Sequence, residues 1–223
     1  MDKQRIIFIQ GSNAIGKSTR VSHLVDSLGD TWEDHHYTFN KVSKKEPTPK
    51  TTTILAGRQY PCGTYIVGRP TLSGVWVGTD YAFSQLGGGY SILKYLDTVV
   101  RAGAQTVIVE GFYGVGNLLG PASLGQLYGT DLNKEYYFFI YDDIEQFIER
   151  TEGRSGKTWP RTRVKTGAII EAENSAGWNG NSICIKREQE WREGLNEGDK
   201  VVKLGWEAPV DILSKEILSN CPK

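Results

Sequence analysis

The chain has 223 residues, 39% of them hydrophobic, enough for one α/β domain with a substantial core. Lys plus Arg and Asp plus Glu both number 26, so overall charge marks out no partner, and any nucleic-acid contact has to come from a local patch. No stretch approaches a membrane span, and the apolar run after Arg5 is too short for a signal peptide; Cys62, Cys184 and Cys221 are far apart, odd in number and without metal-ligand spacing, and read as reduced thiols of a cytoplasmic protein.

In chain order, residues 5–10 form a short apolar run of the kind that makes a buried strand. Gly11, Ser12, Asn13, Ala14, Ile15, Gly16, Lys17 and Ser18 follow and fit G-x-x-x-x-G-K-[ST] at every fixed position. Val21, Leu24, Val25 and Leu28 then recur at helical spacing. Strand, glycine loop and helix predict an anion cradle for a nucleoside triphosphate, with loop amides and the first helical turn facing the phosphates. Lys17 is expected to reach the β- and γ-phosphates, Ser18 to ligate Mg²⁺, and Thr19 to complete the binding stretch.

Residues 35–42 read as a second strand, and His23, His35 and His36 form no ligand cluster. Asn40-Lys41 is not a guanine-reading N-K-x-D motif, because position 43 is Ser. After a polar, proline-broken loop at 44–50, residues 51–79 are β-rich with Gly and Pro turns and predict a small antiparallel insertion, either an acceptor-binding region or a structural hairpin with no ligand. Asp80 opens a helix that resumes over 90–100; it is either an N-cap or a carboxylate facing the acceptor hydroxyl.

Residues 105–111 are an apolar strand ending in Glu110-Gly111, expected beside the first strand with the Glu110 carboxylate at the magnesium. Residues 112–117 then bring aromatics and glycines to the cleft mouth. Residues 135–141 are another buried strand, with Asp142-Asp143 capping a helix over 144–151. From Arg150 the chain turns basic, through Arg154, Lys157, Arg161, Arg163 and Lys165. This predicts a lid over 150–166 whose guanidiniums, those of Arg150 and Arg154 first, stabilise the transferring phosphate. Basic residues interleaved with Trp159 and Trp178 also suit single-stranded nucleic acid or a flipped base.

Residues 168–181 read as a loop with a partly helical start. Residues 182–195 read as a helix with Ile183, Arg187, Trp191 and Leu195 on one face and an i,i+4 Glu188–Arg192 pair. A last strand at 199–204 and a last helix at 209–218 flank a connector, 205–208, expected near the phosphate loop and lining the adenine pocket. About five strands alternating with helices predict a single domain over 1–223 with a parallel P-loop sheet.

On residues 5–19 and 106–111, with the lid start at 150–154, the chain resembles the nucleoside and nucleotide kinase group of P-loop enzymes. Tyr65-Ile66-Val67-Gly68-Arg69, followed by Gly74-Val75-Trp76-Val77-Gly78-Thr79-Asp80, is similar to phage-encoded P-loop kinases that phosphorylate 5-hydroxymethyluracil in DNA. That resemblance implies ATP as phosphate donor, Mg²⁺, a base hydroxymethyl group as acceptor, and work in the host cytoplasm. Two rival expectations stand beside it: a kinase of free nucleosides or nucleoside monophosphates, and a non-enzymatic ATP-binding switch.

Overall fold

The computed structural model describes residues 3–12, 15–41, 50–72, 74, 76–78, 89–111, 119–156, 162–165, 168–171 and 176–219. Its centre is a seven-stranded sheet. In chain order the sheet strands are β1 (Gln4–Gly11), β2 (Glu33–Lys41), β3 (Lys50–Gln59), β4 (Thr64–Val67), β7 (Thr106–Glu110), β8 (Leu132–Ile140) and β11 (Lys200–Gly205). Across the sheet the order is β11-β8-β1-β7-β4-β3-β2. The five strands from β11 to β4 are parallel, and β3 and β2 close one side antiparallel. Two short antiparallel pairs stand apart: β5 (Arg69–Pro70) with β6 (Trp76–Val77), and β9 (Thr162–Lys165) with β10 (Ala168–Glu171).

The helices are α1 (Lys17–Ser27), α2 (Gly89–Arg101), α3 (Pro121–Tyr128), α4 (Ile144–Ser155), α5 (Ala176–Glu193) and α6 (Ile212–Leu218). None among the described residues is long and apolar enough to cross a membrane. One sheet face packs on α2, α3 and α5 through Ile6, Phe8, Val107, Val109, Tyr136 and Phe138. The other packs on α1, α4 and α6 through Ile7, Ile9, Ile108, Tyr137 and Phe139.

A strand covered on both faces has no solvent side, so β1 holds the apolar run Ile6–Ile9 and β8 the run Tyr136–Ile140, both without alternation. Each fully buried large side chain there contributes about 1.5–3 kcal/mol. Phe8 stacks on Tyr136 with centroids 5.2 Å apart, and Trp191 of α5 meets Tyr136 edge-on at 4.8 Å. On α2, Ile92, Tyr95, Leu96, Val99 and Val100 form one buried stripe at 3.6-residue spacing.

Two expectations need correcting. Residues 51–79 are not an insertion outside the sheet: β3 and β4 are built into it, and β4 is the fifth parallel strand through its pairing with β7 at Thr64↔Thr106. The 33–41 strand lies antiparallel at the edge, zipped to β3. Within 51–79, the described strands β5 and β6 form a pair apart from the main sheet. On α5 the buried face holds Asn181, Cys184, Arg187, Glu188 and Trp191, while Ile183 is exposed; the helix also starts earlier than expected, at Ala176.

Several local expectations hold. Asp143 caps α4, its Oδ1 accepting from the Gln146 amide at 2.9 Å, and Arg192 pairs with Glu188. Cys62 and Cys184 are free thiols; Cys221 lies outside the described residues.

Candidate functional site

The order of the sheet reverses direction at β1: after β7 the chain crosses to β8 on the other side. Such a reversal opens a crevice beyond the carboxyl ends of the strands. The loop 11–18 leaves β1 at that place. Gly16 takes the N-cap position of α1 at φ 87°, a left-handed conformation that glycine adopts at little cost. A Cβ there would also stand 2.7 Å from Nη1 of Arg20.

Helix α1 has no side-chain cap and no acidic residue in its first turn. Its N-terminal amides and the positive end of its dipole are therefore left for an anion from outside the helix. Lys17 opens α1 and donates from Nζ to the carbonyl of Ser12 at 2.9 Å, which holds the ammonium over its own loop. One residue on, Ser18 Oγ donates to Glu110 Oε1 at 3.3 Å.

Glu110 ends β7, directly beside β1 in the register Ile9↔Glu110, and is buried. Its other oxygen accepts from the Gly78 amide at 3.1 Å. A hydroxyl and a carboxylate oxygen set side by side suit a hard divalent cation. Among the described residues no group of three or more His, Cys, Asp or Glu could hold a metal ion.

Two arginines frame the loop. Arg20, buried on α1, donates to the carbonyls of Ile15, Trp206 and Ala208. Arg150, on α4, brings Nη2 to 3.7 Å from where a Gly16 Cβ would stand. Arg20 has its acidity raised mainly by burial and next by the Arg150 charge. The 205–208 connector thus reaches the loop as expected, through Arg20.

Helix α5 packs against β8, β11 and β1. Asn181 donates to the Tyr141 carbonyl and accepts from its amide, both at 2.9 Å, tying α5 to the end of β8. Burial pushes the Cys184 thiol up to about 11, against the opposing pull of Lys17 and Arg187. Arg187 approaches the buried Gln10 side chain at 3.5 Å, and Gln10 Nε2 has no hydrogen-bond partner.

The structure therefore brings together Gly11, Ser12, Ile15, Gly16, Lys17, Ser18, Glu110 and Arg150. Thr19 lies on α1 with an exposed side chain. Asn13, Ala14 and Asp80 lie outside the described residues, as do 157–161 and 166 of the expected lid; Arg154 falls on α4. Arg163 and Lys165 fall on β9. Sequence reasoning missed Arg20 and Gly78. No family model matches the chain, and no curated protein does.

Proposed function

We propose that the chain is an ATP- and Mg²⁺-dependent phosphotransferase with a P-loop kinase fold. The observation that carries the reading is the contact between Ser18 and Glu110, made at the mouth of a glycine loop whose next cation is Lys17. Phosphoryl transfer asks a protein mainly for positioning and charge neutralisation, and this cluster has the groups for both.

In this reading the amides of the loop and of the first turn of α1 hold the triphosphate. Lys17 exchanges its bond to Ser12 for the terminal phosphates. Ser18 and Glu110 hold Mg²⁺, which draws charge off the phosphates when bound. Arg150 covers the transferring group, joined by Arg154 as the lid closes. Asp80 orients or deprotonates the acceptor hydroxyl.

As acceptor we propose the 5-hydroxymethyl group of a modified pyrimidine, 5-hydroxymethyluracil, in phage DNA. The support is the resemblance carried by residues 65–69 and 74–80 and the basic stretch after Arg150. Labelled ATP incubated with free nucleosides, nucleoside monophosphates, ordinary DNA and hydroxymethyluracil DNA tests it. Label is expected in the last alone, with transfer falling steeply as salt rises. Label in free nucleosides or monophosphates replaces the acceptor, and label in nothing despite ATP binding leaves a nucleotide-binding switch.

A further inference from the structure

Arg20 is heavily engaged at the glycine loop. It is 7% exposed, and its guanidinium reaches three carbonyls from two distant parts of the chain. Nη1 donates to Ile15 O at 2.9 Å, inside the loop. Nη2 donates to Trp206 O at 2.7 Å, and Nε to Ala208 O at 3.2 Å, with Nη2 shared onto the same oxygen. Its flat face lies 4.7 Å from the centroid of the Phe139 ring.

The partners are backbone oxygens and a ring, so no carboxylate contact among them neutralises the guanidinium. One rigid plane sets the spacing between the loop and the 205–208 turn, which the Ala208 amide closes on Gly205 O at 3.1 Å. A lysine could not do this: it offers a point charge on a flexible stem, not a fork of fixed donors.

We infer that Arg20 is a positioning residue that couples the phosphate-holding loop to the 205–208 turn, so that a nucleoside triphosphate binds as one unit. This rests on the nucleotide-binding reading above. In that reading the phosphates engage the loop, the nucleoside end lies along the turn, and Arg20 holds the two in register. Its charge adds to the pull on the phosphates; its shape adds to the pull on the nucleoside.

The two contributions separate experimentally. Inorganic tripolyphosphate carries the charge without the nucleoside, and Arg20→Lys keeps the charge without the fork. Calorimetric titration with Mg²⁺ is expected to show Arg20→Lys binding tripolyphosphate nearly as well as the parent chain but ATP about tenfold more weakly, a loss of the size expected for charged hydrogen bonds. Equal losses for both ligands, or none for ATP, overturn the coupling while leaving the nucleotide site standing. A parent chain that binds neither ligand overturns both.

A second measurement needs no variant. Tripolyphosphate is expected to slow hydrogen exchange at the Ala208 amide as well as in residues 15–20, because the strut transmits order from loop to turn. Protection confined to 15–20 refutes it.

Discussion

Ser18 Oγ and Glu110 Oε1 lie 3.3 Å apart although 92 residues separate them in sequence, because β1 and β7 run parallel in adjacent positions and Glu110, the last residue of β7, lies opposite Ile9 near the end of β1. In the proposed reaction these two oxygens hold the metal. Glu110→Gln keeps shape and hydrogen bonding but removes the charge, and is expected to slow Mg²⁺-dependent transfer by about 10²–10³-fold, the scale of losing one preorganised electrostatic group. Ser18→Ala is expected to raise the Mg²⁺ concentration needed for half-maximal rate. Both are read from initial rates across a magnesium titration; a Glu110→Gln rate equal to the parent's removes Glu110 from the chemistry.

Gly78 donates its amide to the same carboxylate, and a Cβ on it would overlap both the Glu110 carboxylate and the Glu110 carbonyl oxygen. Gly78→Ala is expected to cost about 1–3 kcal/mol of stability through overpacking. It also displaces the Glu110 carboxylate, which the proposed reaction places on the metal. Gly153 on α4 has nothing within 4 Å of its Cβ position, so Gly153→Ala is expected to stabilise by about 0.5–1 kcal/mol. Urea unfolding of the two variants should shift the midpoint in opposite directions.

Far from the site, Lys134 is fully buried with Nζ 3.2 Å from Asp199 Oδ1. Asp199 also accepts from the amides of Lys134 and Asn196, at 2.9 and 3.0 Å. Asp199→Ala leaves the buried ammonium with the Gly129 and Leu132 carbonyls but without the Asp199 charge, and is expected to cost about 3–5 kcal/mol. Lys134→Met leaves a carboxylate still held by two amides, and is expected to cost clearly less. Equal losses in equilibrium unfolding would contradict this asymmetry.

His35 has its basicity lowered by burial first and by the neighbouring His36 second; its Nδ1 lies 3.0 Å from the Tyr65 hydroxyl, beside Glu33 and Asp34. Because the folded state holds this proton less tightly than the unfolded state, the native chain is relatively disfavoured as pH drops. The His35 contribution is absent well above the ordinary value of 6.5, and stability falls as pH passes below it until the lowered folded value is reached. His35→Gln is expected to flatten that part of a melting-temperature profile, and an unchanged profile refutes the assignment.

The glycine loop and Glu110 were legible because each is written locally: an apolar run, a fixed spacing, an acid at a strand end. The place of β4 was not. Its four residues read the same in an insertion as in the main sheet, and only the pairing with β7 decides between them. On α5, steps of four residues from Ile183 drift by 40° each, so the buried stripe passes instead through Cys184, Arg187, Glu188 and Trp191. Arg20 was hidden for a different reason. A cation on a helix ordinarily reads as solvated, and two of its carbonyl partners lie 186 and 188 residues away in the chain.

The most direct test of the central claim is calorimetric titration of the chain and of Lys17→Ala with ATP, with and without Mg²⁺. The account expects magnesium-supported binding by the parent chain and a loss of about a hundredfold or more in Lys17→Ala, whose fold should survive because the ammonium's hydrogen bond among the described residues is to the Ser12 carbonyl of its own loop. Absence of magnesium-supported affinity for any purine triphosphate, or binding indifferent to Lys17, would contradict it.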